Sequence, residues 1–329
     1  MTYDLIIIGG GPAGTAAGVY AARKRIKTVL IAKEFGGQSL VSQDIQNFIG
    51  IVSLPGLELQ ERFKKHLEAY AEDILDIKEW ELAKSLKKSN DGFKVATDKE
   101  NTYQAKAVLV AAGSSRRKLK AIGADRLDNK GISYCASCDA PMFKGKDTVV
   151  IGGGNSGFEA AQQLLAYSPS VTLLEFGSEF KADALTLEQV SRDPKFKAIT
   201  GAETIEIYGK VFVEGLKYKD RASGKITDLA VGGVFVEIGS IPDSNFLKDL
   251  LESVQKPTWW VAEQTPKEWK GGLDKWGQIL VDHKTQRAAI EGMWAAGDIT
   301  DVLYKQNNIS MGDAVKALED IYLWLQKKK

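Results

Sequence analysis

Thiols and imidazoles are scarce in this chain: two cysteines and two histidines among 329 residues. The histidines, His66 and His283, lie far apart in sequence, which excludes a histidine-rich metal site, and two thiols supply only half of a structural zinc shell. No metal is therefore expected. A single cysteine pair cannot build the framework of a disulfide-rich secreted domain, and it points to a reducing cytoplasm. Long apolar runs are also missing. Leu5 to Ile8 is strand-length and meets glycine at once, so nothing reads as a bilayer span, and the N-terminus lacks the architecture of a secretion signal. Charge of one sign is not in excess either. The 44 basic and 43 acidic residues leave a net +1, which gives no footprint for nucleic acid or an anionic membrane. The length allows two domains, each able to bury a core.

What is present is concentrated in three short motifs. The cysteines stand three positions apart in Tyr134-Cys135-Ala136-Ser137-Cys138-Asp139-Ala140-Pro141, with an acid directly after the second thiol. This spacing suits a dithiol that opens and closes as a disulfide. The competing readings are an unused pair or half a zinc site, and Asp139 could serve only as a helix cap. Before this motif, the run Asp4 to Ile8 stops at Gly9-Gly10-Gly11-Pro12-Ala13-Gly14. A small-residue helical pattern continues to Ala22, and a second apolar run covers Thr28 to Ala32. Strand, glycine turn, helix and strand within about 30 residues is the context a dinucleotide fingerprint requires. Gly9 permits the tight turn, Gly11 the approach of a pyrophosphate, and Gly14 the packing of helix on strand. The helix N-terminus then offers its N–H groups to phosphate. The acid that usually ends the second strand is displaced. The strand closes Ile31-Ala32-Lys33-Glu34, leaving Glu34 as the nearest substitute.

The second fingerprint repeats the first. Thr148 to Ile151 leads into Gly152-Gly153-Gly154-Asn155-Ser156-Gly157, a helix from Phe158 to Ala166, and the strand Val171 to Glu175. Here the acid sits at the strand end, where a carboxylate accepts from ribose hydroxyls and repels a 2′-phosphate. The residues that follow, Phe176 to Lys181, include no arginine, so charge favours NADH over NADPH. The competing reading makes Glu175 a surface acid. Elsewhere the pattern predicts a helix over Leu57 to Glu72, strands over Phe93 to Thr97 and Tyr103 to Val110, and small antiparallel strands between Ile205 and Ala230. A buried strand is expected over Val234 to Ile238, and a closing helix over Ile309 to Leu325. Arg116-Arg117-Lys118 reads as the solvated start of a linker, without chemistry. Ser253 to Trp276 carries four of the seven tryptophans, as local packing under a loop or as a docking surface.

Taken together, these motifs resemble the low-molecular-weight thioredoxin reductases, and among them the reductase portion of the alkyl hydroperoxide reductase flavoprotein subunit. The resemblance runs over nearly the full length. It rests on the Gly9 turn, Phe35-Gly36-Gly37-Gln38, Gln46-Asn47-Phe48-Ile49, Cys135 to Asp139, and Gly152 to Gly157. Leu173-Leu174-Glu175-Phe176, Gly297-Asp298 and Tyr304-Lys305-Gln306 complete it. It implies an α/β flavoprotein of two Rossmann-like dinucleotide-binding domains, the second inserted into the first. The FAD-binding domain would be residues 1–114 with 244–329, and the NAD(P)-binding domain, carrying the dithiol, 115–243. On the FAD side the implied contacts are Gly9, Gly11, Pro12, Ala13, Gly14, Glu34, Gly37, Gln38, Asn47, Gly113, Gly297, Asp298, Lys305, Gln306 and Asn307. On the nicotinamide side they are Gly152, Gly154, Asn155, Ser156, Gly157, Glu175 and Gly239. Cys138 would face the flavin, Cys135 would attack the partner's disulfide, and Asp139 would handle the proton.

The implied activity is transfer of electrons from NADH through FAD and the dithiol to a separate thioredoxin-, glutaredoxin- or peroxiredoxin-type protein, by a cytoplasmic homodimer. One flavin face cannot meet both nicotinamide and dithiol, so the inserted domain is expected to rotate between two positions. The chain starts at the FAD fingerprint, so a separate small dithiol protein is expected in place of an N-terminal thioredoxin-like domain. Departures from the family pattern are Ala140 after Asp139, where glycine is common, and Asn307, Asn308 and Met311 near the implied flavin. Other readings stay open: a ferredoxin-like donor, a peroxide-forming NADH oxidase with incidental thiols, and a flavin-bound redox sensor.

Overall fold

Leu5, Ile6, Ile7 and Ile8 are all buried. A run buried on both pleat faces is what a parallel strand covered on two sides requires. In the computed structural model, which describes residues 2–42, 44–252, 254–260 and 269–328, this run is the middle of β1 (Thr2–Gly10). The chain divides into two compact units. The first joins Met1–Ser115 to Ile241–Lys329, and the second is Arg116–Ser240.

In the first unit β1 leads into α1 (Pro12–Arg23), β2 (Thr28–Phe35), α2 (Gly56–Ala71), β3 (Leu75–Glu79) and the strands β4 (Ala83–Ser89), β5 (Gly92–Thr97) and β6 (Thr102–Val110). β1 pairs in parallel with β2 on one side and β6 on the other, and β2 pairs with β3. The first half of β6 takes the antiparallel β5, which carries β4. The chain leaves at β7 (Ser114–Arg116). The chain connects outward from β1 to β2 and β3 on one side and to β6 on the other, and this divergence leaves a crevice at the strand ends, where ligands of open α/β sheets bind. β2 runs past the expected Ala32 to Phe35, because a register shift lets Gly10 pair with Phe35.

The second unit opens with β8 (Ile132–Ser133), the short helix α3 (Ala136–Asp139) and β9 (Thr148–Ile151). α4 (Asn155–Leu164), β10 (Val171–Leu174), α5 (Ala184–Ser191) and β11 (Phe196–Ile199) follow. The antiparallel sheet β12 (Ala202–Tyr208), β13 (Gly215–Asp220) and β14 (Ile226–Ala230) accounts for the alternation seen in sequence. β15 (Gly233–Val236) completes a five-stranded parallel sheet in the order β11-β10-β9-β15-β8. The helix expected from Phe158 begins earlier, at Asn155. Gly154 is the extended residue before it, and the glycine turn feeds directly into the first helical turn.

The chain re-enters the first unit at β16 (Ser240–Pro242) and passes through α6 (Lys248–Leu251). β17 (Met293–Ala295) then pairs in parallel with the second half of β6, and α7 (Asn307–Lys327) closes the chain. α1 and α7 cover one face of the large sheet, burying Trp294, Ala314, Leu318 and Ile321 with Leu5 and Ile7. The opposite face buries Ile6, Ile8, Leu247, Leu251 and Ile279. Of the tryptophan-rich stretch, Trp260 is buried and its ring packs against that of Trp269, while Trp276 is 64% exposed. Ser253 and residues 261–268 of that stretch, like Lys329 of the basic tail, lie outside the described residues. No helix among the described residues is long and apolar enough to cross a membrane.

The second unit's core centres on Phe158, fully buried against the rings of Phe180 at 5.3 Å and Phe196 at 5.8 Å. Phe158→Ala is expected to cost about 3–5 kcal/mol, read as a lower urea midpoint for the transition that includes this unit. An unchanged midpoint would show that the ring does not support the unit.

Candidate active site

Both glycine turns solve the same steric problem at the same places. Gly9 and Gly152 have φ of 119° and 120°, and a Cβ on either would lie 2.2 Å from the Ala111 carbonyl oxygen or 2.3 Å from that of Glu237. These are conformations only glycine adopts without strain. A Cβ on Gly14 or Gly157 would come within 1.8 Å of the carbonyl oxygen of Gly9 or Gly152. Gly11 and Gly154 differ. A Cβ on Gly154 would meet nothing within 4 Å, and one on Gly11 only the Gly37 Cα at 3.8 Å. The backbone there is bare and open at a helix start, with the shape and donor groups that a pyrophosphate needs.

In the first unit a ring of polar groups gathers around the Gly11 turn. Pro12 and Ala13 form the first turn of α1, and Gly37 lies against Gly11. Gln38 donates its amide to the Ser114 carbonyl, next to Gly113, whose φ is 73°. Gly297 packs between Ala13 and Ser310, and the Ser310 hydroxyl donates to Asp298 at 3.3 Å. The α7 start is tied to the same ring: Asn47 donates to Gln306 at 3.1 Å, and the Ser39 hydroxyl donates to Asn307 at 2.9 Å. Lys305 donates to the carbonyls of Asp298 and Thr300. Burial pushes its ammonium below the usual lysine range, while Asp298, Asp301, Asp274 and Asp313 pull it back up. Glu34 stands apart. It is exposed on the extension of β2, and Ala32 occupies the place that Glu175 holds in the second turn, each beside the middle glycine of its turn.

In the second unit Glu175 Oε2 accepts from the Gly153 N–H and Oε1 from the Gly177 N–H, both at 2.6 Å. Asn155 accepts from the Asp183 N–H, Ser156 is exposed on the helix start, and Gly239, with φ 90°, lies beside Arg117. Cys135 and Cys138 are bonded as a disulfide with Cα atoms 5.3 Å apart. Asp139 makes no side-chain cap to the turn that follows. Its Oδ2 accepts from the Ser133 hydroxyl at 2.5 Å, and the same hydroxyl accepts from the Cys135 N–H at 3.1 Å.

Residues 3–317 of the chain, which include the disulfide and both turns, match the model of the pyridine nucleotide-disulphide oxidoreductase family. The chain belongs to that family. It is 36% identical over 330 residues to the alkyl hydroperoxide reductase F subunit of Escherichia coli, covering 99% of this chain and 59% of that protein. It is likewise 36% identical to an NADH dehydrogenase of Bacillus subtilis, covering 96% of this chain and 57% of that protein. The chain thus spans somewhat over half the length of these relatives. Among solved structures it superposes on thioredoxin reductase of Giardia duodenalis with TM-score 0.86 at 30% identity, covering 99% of both chains. Thioredoxin reductase of Streptococcus pyogenes gives 0.85 at 29%, again with 99% of both chains covered.

For a member of this family, four residues near the sites carry no motif that marks them in the sequence. Ser133 links Asp139 to the dithiol backbone. Arg116, in the stretch that reads as solvated linker, is half-buried with its guanidinium 5.1 Å over the Tyr134 ring. Arg221 reaches the acid-bearing strand end from the β13–β14 turn, 4.1 Å over the Phe176 ring, and donates to the Phe176 carbonyl at 3.0 Å. Residues 176–181 contain no arginine, but the fold supplies one. The fourth is Glu237, one residue past β15. Its N–H donates to the Ile151 carbonyl, and it follows Phe235, which is buried in one cluster with Ala136, the residue after Cys135. Burial pushes this carboxyl up to about 8, opposed by Arg116, reinforced by Glu159, and opposed again by the Ala136 N–H. A charged residue inside the apolar run Val234 to Ile238 was the available signal.

Two outcomes follow from this geometry. Gly157→Ala should lose about 3 kcal/mol or more through overlap with the Gly152 carbonyl, whereas Gly154→Ala should keep its melting temperature and bind pyridine nucleotide at least about tenfold more weakly. Calorimetry of both variants decides it, and equal damage at both positions would contradict the open-cradle assignment. For Glu237, the folded-state value lies above the unfolded one, so its contribution is full below about pH 4.5 and fades as pH rises through 8. Glu237→Gln should therefore match the parent near pH 5 and exceed it by roughly 1–2 kcal/mol above pH 8.5, allowing for the partly exposed residue. Melting curves across that range check it.

Proposed function

We propose that this protein is an FAD-dependent pyridine nucleotide:disulphide oxidoreductase that draws electrons from NADH and delivers them through Cys135 and Cys138 to a small thioredoxin-like or peroxiredoxin-system protein. The observation that carries the reading is a disulfide seated at the strand ends of a unit that also bears an open glycine cradle. Gly11, Gly37, Gln38, Asn47 and Asp298 would hold the flavin. Gly154, Asn155 and Glu175 would hold the nicotinamide nucleotide. These two cofactors supply the two-electron chemistry when bound.

The chain's own residues do the rest. Glu175, already turned toward the glycine loop by two backbone N–H groups, is aimed where a ribose diol would exchange for those bonds. Its charge disfavours a 2′-phosphate, and Arg221 is occupied by stacking on Phe176 and by the Phe176 carbonyl. Both features support NADH as the donor. The α7 N-terminus presents the N–H groups of its first turn beside Asn47 and Gln306, a setting that favours negative charge on a bound ring system. At the dithiol, Asp139 accepts from Ser133 and stands next in sequence to Cys138, in place to take and return the proton that accompanies thiol–disulfide exchange. The separate partner follows from the resemblance, and the scarcity of cysteine supports a reducing cytoplasm.

The relative named NADH dehydrogenase keeps one rival in view, in which NADH is oxidised and the thiols are bystanders. Anaerobic addition of NADH should bleach the flavin and expose two alkylatable thiols per chain, and Cys138→Ser should abolish reduction of a dithiol partner by at least about 100-fold while leaving the bleaching intact. Bleaching without new thiols, or partner reduction untouched by the substitution, would favour the rival.

A further inference from the structure

We infer that Glu237 governs how much of the Cys135–Cys138 dithiol is thiolate, its carboxyl being held against the turn that carries both sulfurs. The sheet order creates the juxtaposition. β15 lies between β9, which ends in the Gly152 turn, and β8, which ends at the dithiol loop. The residue after β15 is therefore delivered to a point between the two motifs. Its N–H bonds the end of β9 at 2.8 Å and its carbonyl oxygen sits against Gly152. β15 pairs with β8 so that Phe235 lies opposite Ser133, which leaves Glu237 and Cys135 each two residues further on, beside the cluster in which Phe235 buries Ala136. Ala136 is buried, while Cys135, Cys138 and Glu237 are each half-buried.

The charges facing this carboxyl are few. β7 brings Arg116, and α4 brings Glu159. The dithiol turn brings the two thiols and Asp139, whose Oδ2 is bonded to Ser133. The glycine turn, Gly152 to Ser156, brings no ionisable group. A neutral Glu237 leaves the thiols free to ionise, whereas an ionised one opposes a second negative charge close by. The carboxyl titrates near 8 in the disulfide form, inside the range where thiols titrate, so proton release from carboxyl and dithiol is coupled. Reduction of the disulfide adds two electrons and two protons, and Glu237 then sets how readily the thiol protons leave. While the carboxyl is protonated it places no negative charge beside the dithiol and does not oppose loss of the thiol protons. Once ionised it raises the pH at which those protons leave.

This inference rests on the reading of the pair as a working dithiol, and the test separates the two. The full chain is reduced with dithiothreitol, freed of reductant, and alkylated with iodoacetamide across pH 6–10, as parent and as Glu237→Gln. The amide cannot ionise. The rates should coincide below about pH 6.5 and separate near pH 8, the variant reacting about two- to fivefold faster, with the parent profile broadened over two steps. Superimposable profiles would overturn the inference while leaving the dithiol reading intact. Failure of dithiothreitol to release two thiols would overturn both. If Glu237→Gln does not fold, Glu237→Leu takes its place in the same comparison, and a profile that coincides with the parent's across the range refutes the coupling.

Discussion

Everything in this protein hangs on backbone meeting backbone without a Cβ between. At Gly14 and Gly157 a helix is drawn so close to the preceding turn that an added methyl would sit 1.8 Å from a carbonyl oxygen. That approach aims the first turns of α1 and α4 at the bare stretches around Gly11 and Gly154. The two cradles depend on it. Glycine is costly in unfolded entropy, and the cost is borne where no other residue would leave room.

Sheet order then distributes chemistry across the strand ends. In the second unit β9 leads into the glycine turn, β10 into Glu175, β8 into the dithiol and β15 into Glu237, so these groups arrive as neighbours along one edge of the sheet. In the first unit the return of the chain through β17 and α7 brings Gly297, Asp298, Gln306 and Asn307 to the turn formed by the first residues of the chain. The bonds from Ser39 and Asn47 to α7 link residues more than 250 positions apart. They depend on the parallel pairing of Met293–Ala295 with Val108–Val110.

The α/β class, both fingerprints and the dithiol are legible in the sequence, because each is a local pattern whose physics acts over a few residues. Uninterrupted apolar runs announce parallel strands, and Gly-x-Gly-x-x-Gly after such a run announces a phosphate turn. The hydrophobic pattern places the helix starts at Asn155 and Asn307 two or three residues late, since glycine and asparagine conceal the first turn from it. Three consecutive basic residues look like solvated linker. Arg116 escapes that reading only because the chain folds Tyr134 and Glu237 against it.

Local sequence therefore settles the set of parts: two nucleotide turns, one acid at a strand end, and one pair of thiols with an acid behind it. Which part stands beside which is settled by the fold alone. Arg221 on Phe176, Ser133 between Asp139 and Cys135, and Glu237 against Ala136 are set by strand order and by turns that bring separate segments together. Sequence periodicity reports which face of a strand is buried, but it carries no record of which strand lies next to it, and in this protein the surroundings of the dithiol are decided by that neighbour.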